Sequence, residues 1–107
     1  MLSNKLRIKY PDKVPVIINK DKKCKTIADI GTVKYLIQDN ITLGQFIYII
    51  RKRVKLDSEE AIYLYAKLDN KQQMLMAGTD MLSIYDLYKN KDDGILYVTY
   101  TGENVFG

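Results

Sequence analysis

The chain of 107 residues contains no histidine, one cysteine and two prolines. A zinc site of histidine and cysteine ligands, a cysteine–histidine nucleophile pair and an internal disulfide all need atoms that such a chain lacks. These absences exclude most zinc chemistry and most hydrolase chemistry. Long apolar runs are also missing, because charged residues occur from Lys5 onward and no eighteen apolar residues follow one another. We therefore expect neither a signal peptide nor a transmembrane helix.

The single cysteine, Cys24, lies within a cluster of lysines, Lys20, Lys22, Lys23 and Lys25. An unpaired thiol fits a reducing compartment. Neighbouring lysines lower the pKa of a thiol, so a redox role is one interpretation of this cluster. An inert thiol is the interpretation that we favour.

Composition and charge describe one globular domain with an uneven surface. Apolar residues make up 47% of the chain and charged residues 28%, which excludes a two-domain organisation at this length. Residues 1–56 hold thirteen lysines and arginines against four acids, whereas residues 57–107 hold four against nine. The basic first half predicts an acidic partner, and nucleic acid, anionic lipid and an acidic peptide all remain open.

The first third of the chain predicts a helix followed by two strands. A short helix fits residues 1–10 and must end at Pro11, because proline disfavours helical conformation in the residue before it. Val14–Ile18 is an apolar, β-branched run, and Val33–Ile37 is a second one after a connection that contains Gly31. These two runs predict a hairpin with a long loop.

From Thr42 the apolar period becomes helical. Thr42 and Gln45 have the spacing of a capping box. The apolar positions recur at intervals of three and four, and are Leu43, Phe46, Ile47, Ile50 and Val54.

The last third predicts strand, short helix and strand. Ile62, Leu64 and Ala66 alternate with Tyr63, Tyr65 and Lys67, as in a half-buried strand. Asp80 is positioned to cap a helix over Met81, Ile84, Tyr85 and Tyr88. Asp93 and Gly94 then turn the chain into a final strand over Ile95–Tyr100. We expect Ile50 and Leu64 in the core.

This element order predicts an α+β fold, the ubiquitin-like β-grasp, with a four-stranded mixed sheet wrapped on a central helix. Ile95 and Tyr97 would face the opposite side of the sheet, and the N-terminal helix is predicted to cover that face. The domain prediction is a helical segment over residues 1–10 and a ubiquitin-like domain over residues 11–107. The domain would end in an extended tail of about residues 101–107.

Seven collinear segments resemble one family, the autophagy-related protein 8 or GABARAP-like ubiquitin-like modifiers. They span nearly the whole chain, and they are Lys9–Ile17, Lys34–Ile37, Thr42–Phe46, Ile49–Arg53, Ser83–Tyr85, Asp93–Tyr100 and Gly102–Gly107. Departures from the family pattern suggest a divergent member. Gln38 stands where relatives usually have proline, and residues 56–58 replace a proline pair. Residues 71–76 form an unfamiliar loop, and the chain begins near the second of two family helices.

The resemblance implies a protein without an active site of its own. It implies that Gly107 is activated as a thioester by activating and conjugating enzymes and is then joined to phosphatidylethanolamine. The implied partners also include a deconjugating cysteine protease and a membrane reached through the lipid anchor. No cofactor is implied beyond the covalent phosphatidylethanolamine. The implied location is the cytoplasm and, after lipidation, the autophagosomal or another intracellular membrane.

The resemblance further implies docking of receptor and adaptor peptides that carry an aromatic-x-x-aliphatic motif. The implied aromatic pocket consists of Leu6, Pro15, Ile17, Lys34, Leu36 and Ile95. The implied aliphatic pocket consists of Tyr35, Ile37, Ile41, Phe46 and Ile49. The implied contacts to acidic residues flanking the motif come from Lys13, Lys34 and Arg53. Phe46 and Ile49 are equally open to a place in the core.

Two alternatives stay beside this hypothesis. A β-grasp adaptor that binds peptides without being conjugated would explain the pockets but not the C-terminal glycine. Nucleic-acid binding by the basic half is disfavoured because no platform of stacking aromatic residues accompanies the charge, and we expect no nucleic-acid partner.

Overall fold

The computed structural model describes residues 2–57 and 59–103 of the chain. Helices and strands alternate along this part. In chain order they are α1 (Leu2–Lys9), β1 (Lys13–Lys20), β2 (Val33–Gln38), α2 (Leu43–Val54), β3 (Tyr63–Leu68), β4 (Lys71–Met74), α3 (Met81–Tyr88) and β5 (Leu96–Thr101). None of the helices in the described ranges has the length and apolar character needed to cross a membrane.

The strands form one mixed sheet in the order β2-β1-β5-β3-β4. β1 runs antiparallel to β2 and parallel to β5, while β3 runs antiparallel to both β5 and β4. The central parallel pair flanked by hairpins is the ubiquitin-like arrangement, so the predicted fold class is confirmed.

The prediction of four strands was wrong, because β4 forms a fifth. Its residues, Lys71–Met74, are mostly polar and show no apolar alternation, and such a pattern predicts a loop. Asp69 and Asn70 have φ values of 52° and 66°. Positive φ at both central residues of a two-residue turn matches the twist of a tight hairpin, which lets β4 fold back onto β3.

The central helix α2 begins where the capping signal predicts. The Thr42 hydroxyl accepts a hydrogen bond from the Gln45 N–H at 3.2 Å, and the Gln45 side-chain oxygen accepts one from the Thr42 N–H at 2.8 Å. The helix ends at Lys55, a left-handed residue with φ 58°. The buried face of α2 consists of Leu43, Phe46, Ile50 and Val54.

The helix α3 is also capped as predicted, since the Asp80 carboxylate accepts the Ser83 N–H at 2.8 Å. A β-bridge between Thr42 and Asp80 joins the starts of α2 and α3. This bridge brings the two N-terminal caps together at one end of the domain.

The core lies between α2 and the sheet. Ile50 and Leu64 are buried, as predicted, and so are Leu96, Val98 and Tyr100 on alternate positions of β5.

Two tyrosines on the second face of the sheet differ in their burial. Tyr65 is only 2% exposed although it alternates with Leu64 and Ala66, because its hydroxyl donates a hydrogen bond to Asp21 Oδ2 at 2.5 Å from the loop after β1. Tyr97 remains 41% exposed. The helix α1 contacts β1, so the predicted cover over the second face does not extend to Tyr97.

Candidate functional site

The strand β2 lies at one margin of the sheet and pairs only with β1 among the described strands. Its outer edge therefore faces no other strand in residues 2–57 and 59–103. A free edge exposes backbone N–H and C=O groups that can pair with an added extended peptide.

The register of the hairpin divides the β2 side chains between two faces. Leu36 lies opposite Pro15, and Lys34 lies opposite Ile17. Tyr35 lies opposite Val16, which is buried in the core. Because successive side chains of a strand point to opposite faces, Lys34 and Leu36 share one face while Tyr35 and Ile37 share the other, toward α2.

The residues proposed for the aromatic pocket come from the face of the hairpin that carries Lys34 and Leu36 and from neighbouring segments. Pro15 is buried, Ile17 and Leu36 are half-buried, and Lys34 is exposed. Ile95 immediately precedes β5, whose Leu96 pairs with Val16, and Leu6 is a half-buried residue of α1. Ile95 and Leu6 thus belong to segments that adjoin β1.

The residues proposed for the aliphatic pocket lie between β2 and α2. The Tyr35 and Phe46 rings meet edge to face with their centroids 5.4 Å apart. Phe46 is fully buried and Ile37 is 8% exposed, whereas Ile49 is 38% exposed. Phe46 is therefore a core residue, and Ile49 is a surface residue of α2. Ile41 is half-buried.

The basic residues proposed to meet acidic flanks belong to three elements: Lys13 begins β1, Lys34 lies on β2 and Arg53 is in the last turn of α2. Lys34 and Arg53 are exposed, and Lys13 is half-buried with its ammonium group 5.6 Å from the centre of the Tyr10 ring. Within the described ranges none of the three takes part in an ion pair. Their charges are available to a ligand.

One feature of this region was missed at the level of sequence. The Arg7 guanidinium donates a hydrogen bond to the Lys13 carbonyl at 2.5 Å, lies 3.7 Å from Asp39 and stacks 5.7 Å from the centre of the Tyr85 ring. It fastens α1 to the start of β1, beside Leu6. Its partners are distant in sequence, and no local signal would have found them.

A second region lies where the chain leaves β5. The Gly102 N–H donates to Cys24 Sγ at 3.3 Å. Burial raises the pKa of the Cys24 thiol, but hydrogen bonds from Thr101, Thr26 and Gly102 outweigh it and lower that pKa to about 6. Cys24 is only 1% exposed, so it is a buried anchor for the base of the tail.

The predicted conjugation residue, Gly107, lies outside the described residues. The described part of the chain also contains no cluster of three or more acidic or cysteine side chains that could hold a metal ion.

The fold and the free β2 edge define a ubiquitin-like protein. The structure is similar to the crystal structure of Trypanosoma brucei ATG8, with a TM-score of 0.81 and 35% sequence identity over 98% of this chain and 85% of that chain. The family model "Autophagy protein Atg8 ubiquitin like" matches residues 2–107.

Sequence relatives agree with the structural match. Autophagy-related protein 8e of Arabidopsis thaliana is 44% identical over 105 residues, which cover 98% of this chain and 81% of the relative. Autophagy-related protein 8 of Schizosaccharomyces pombe is 44% identical over 106 residues, covering 98% and 82%. The chain belongs to the Atg8 family of autophagy ubiquitin-like proteins, which confirms the resemblance found in its sequence.

Proposed function

We propose that this protein is a modifier joined through Gly107 to phosphatidylethanolamine during autophagosome formation, where it recruits receptors that carry aromatic-x-x-aliphatic motifs. The observation that carries the recruiting role is the outer edge of β2, which pairs with no other strand of the described residues and whose side chains divide between two faces. Membership of the Atg8 family supports the conjugating role.

The spacing of the motif matches the geometry of this edge. In an extended peptide, residues three positions apart point to opposite faces. A peptide added to β2 would place its aromatic side chain on the face of Leu36 and its aliphatic side chain on the face of Tyr35. Backbone hydrogen bonds to the strand would supply affinity, and the two pockets would supply specificity.

The basic residues add selection for acidic flanks. Exposed charge pairs contribute about 0 to 1 kcal/mol each, so Lys13, Lys34 and Arg53 would steer and select ligands while the pockets anchor them.

In the proposed conjugation the protein supplies only the acyl group. ATP converts the Gly107 carboxylate to an acyl adenylate with release of pyrophosphate, and a thiolate of the activating enzyme displaces AMP to form a thioester. The acyl group passes to a thiol of the conjugating enzyme. The amine of phosphatidylethanolamine then attacks the thioester, forming an amide and releasing the thiol. Glycine has no Cβ to obstruct these attacks.

The conjugation is tested by incubating the chain with the activating enzyme of its own source and ATP. Wild type should form an adduct that dithiothreitol cleaves, and after addition of the conjugating enzyme the chain should be transferred to vesicles that contain phosphatidylethanolamine. Gly107→Ala is the control that should react poorly. Absence of the adduct with wild type would refute the conjugating role, and retention of peptide binding in that case would favour the non-conjugated adaptor.

The recruiting role is tested by titrating a labelled aromatic-x-x-aliphatic peptide with acidic residues before the motif. Lys34→Glu should weaken binding about fivefold or more, with Lys71→Glu on the opposite margin as the charge-matched control. Leu36→Ala should also weaken binding without unfolding the domain. Unchanged titration curves for both Lys34→Glu and Leu36→Ala would place the peptide site elsewhere.

A further inference from the structure

The loop that follows β1 lies against the base of the C-terminal tail. The Asp21 N–H donates to the Tyr100 carbonyl at 2.8 Å, and the Gly102 N–H donates to Cys24 Sγ at 3.3 Å. Lys22, Lys23 and Lys25 belong to this loop. We call these three residues the tail-base lysines.

The tail-base lysines present positive charge to solvent, and the charge of Lys23 is partly offset by the Asp21 carboxylate, whose pKa it helps to lower. All three are exposed, and within residues 2–57 and 59–103 none of them forms an ion pair. The neighbouring Asp21 carboxylate accepts hydrogen bonds from the Tyr65 hydroxyl at 2.5 Å and from the Lys23 N–H at 3.0 Å. Lys20 differs from the three, because its ammonium group donates to the carbonyl oxygens of Asp21 and Cys24.

The length of the tail sets the largest distance between this loop and the lipid to which Gly107 is proposed to be joined. Five residues, 103–107, follow Gly102. Even fully extended, they span only about 18 Å. Electrostatic attraction acts over about 8 Å at physiological salt, so modest bending of the tail brings the lysines within range of a charged surface.

From this placement we propose that the tail-base lysines contact anionic phospholipid headgroups of the membrane to which the tail is joined. The inference rests on the proposed function, since the tether is what brings the loop to a lipid surface. Lysines near an anionic surface are attracted to it electrostatically. The contact would orient the conjugated domain with the end of β5 toward the membrane.

The test uses a chemical tether, so that it does not depend on the conjugating enzymes. The full chain carrying Gly107→Cys is coupled to vesicles that contain maleimide-bearing lipid, and mass spectrometry verifies that buried Cys24 has not reacted. One set of vesicles is phosphatidylcholine alone, and a second contains about 30 mol% phosphatidylglycerol as the anionic component. An amine-acylating reagent then measures the accessibility of each lysine by mass spectrometry.

On the anionic vesicles we expect acylation of the tail-base lysines to slow about fivefold relative to the neutral vesicles. Raising the salt from about 0.1 M to about 1 M shortens the screening length from about 10 Å to about 3 Å and should abolish the difference. Lys71 and Lys91 are the internal controls and should not change. Both lie away from the end of the sheet where the tail leaves β5. Lys71 pairs with Leu68, at the opposite end of β3 from the Tyr63–Thr101 pair, and Lys91 lies before the start of β5.

Equal acylation on the two kinds of vesicle, or equal protection of Lys71 and Lys91, would overturn the proposal. Protection of the tail-base lysines by the conjugating enzyme or by a single-stranded oligonucleotide, with none on anionic vesicles, would likewise overturn it and assign the patch to that macromolecule. Failure of wild type to form a thioester would refute the proposed conjugation but would leave the result of the chemical tether to decide the lipid contact.

Discussion

Replacing Gly102 by alanine should destabilise the domain because the added methyl group has no space. A Cβ built on Gly102 would lie 2.6 Å from Thr26 Oγ1 and 2.8 Å from both Cγ1 and Cδ1 of Ile27. Carbon atoms normally approach one another no closer than about 3.5 Å. Thr26 is exposed and its hydroxyl can rotate away, but Ile27 is only 6% exposed and its movement would disturb the core.

The expected cost follows from this crowding. Adding atoms to a well-packed site typically destabilises a protein by about 1 to 3 kcal/mol. We place Gly102→Ala at about 2 kcal/mol, because one of the two neighbours is free to move and the other is not. A displacement of Gly102 would also lengthen its 3.3 Å hydrogen bond to Cys24 and redirect the tail.

Two other glycines separate crowding from backbone strain. A Cβ on Gly78 would meet nothing within 4 Å, and Gly78 has no positive φ, so Gly78→Ala should be neutral or stabilising by up to about 1 kcal/mol. A Cβ on Gly31 would also meet nothing, but its φ is 76°. Gly31→Ala should therefore cost about 1 kcal/mol through strain alone.

Urea unfolding of the three variants, followed by far-UV circular dichroism, measures these free energies. The predicted order of stability is Gly78→Ala, then Gly31→Ala, then Gly102→Ala. Wild-type stability for Gly102→Ala would refute the crowding argument, and a loss for Gly78→Ala as large as that for Gly102→Ala would show that any added methyl group is harmful.

Three further predictions follow from burial and hydrogen bonding. Phe46→Ala should lower the free energy of unfolding by about 3 to 5 kcal/mol in the same assay. Ile49→Ala should lower it by less than about 1 kcal/mol and should instead weaken peptide binding. Equal losses of stability would contradict the assignment of Phe46 to the core. Leu64→Ala should cost about 2 to 5 kcal/mol, and a loss below about 1 kcal/mol would contradict its full burial. Tyr65→Phe should cost about 1.5 kcal/mol at neutral pH, because the Tyr65 hydroxyl donates to the Asp21 carboxylate. That hydrogen bond, with the Lys23 N–H, lowers the pKa of Asp21 below its usual 3.8, so the cost should be constant above about pH 5 and shrink as the pH falls through the lowered pKa. A difference between wild type and Tyr65→Phe that grows in acid would refute this account.

Features set by neighbouring residues could be predicted from the chain alone. The capping box of Thr42 and Gln45 and the cap at Asp80 located the starts of α2 and α3. Alternation along β5 located its buried positions, although the strand runs over Leu96–Thr101, one residue later than predicted. These signals are local, because a cap or a periodic face involves residues within a few positions of one another.

The two faces of β2 could also be predicted from the sequence, because successive side chains of a strand point to opposite sides. Leu36 and Tyr35 were therefore correctly placed on opposite faces. The sequence could not show which of Phe46 and Ile49 is buried more deeply, since both are apolar residues of one amphipathic helix. Their burial depends on how α2 is rotated over the sheet, and it is the contact of Phe46 with the Tyr35 ring that shows this rotation.

Composition, caps and periodicity by themselves determined a single α+β domain and its central helix, and seven matching segments carried its resemblance to the Atg8 family. Only the tertiary structure decided that β4 is a strand, that Tyr65 is buried, that Arg7 fastens α1, and that the lysine-rich loop lies against Gly102. Each of these depends on atoms brought together from distant parts of the chain. Their positions follow from packing and long-range hydrogen bonds, which no short stretch of residues encodes.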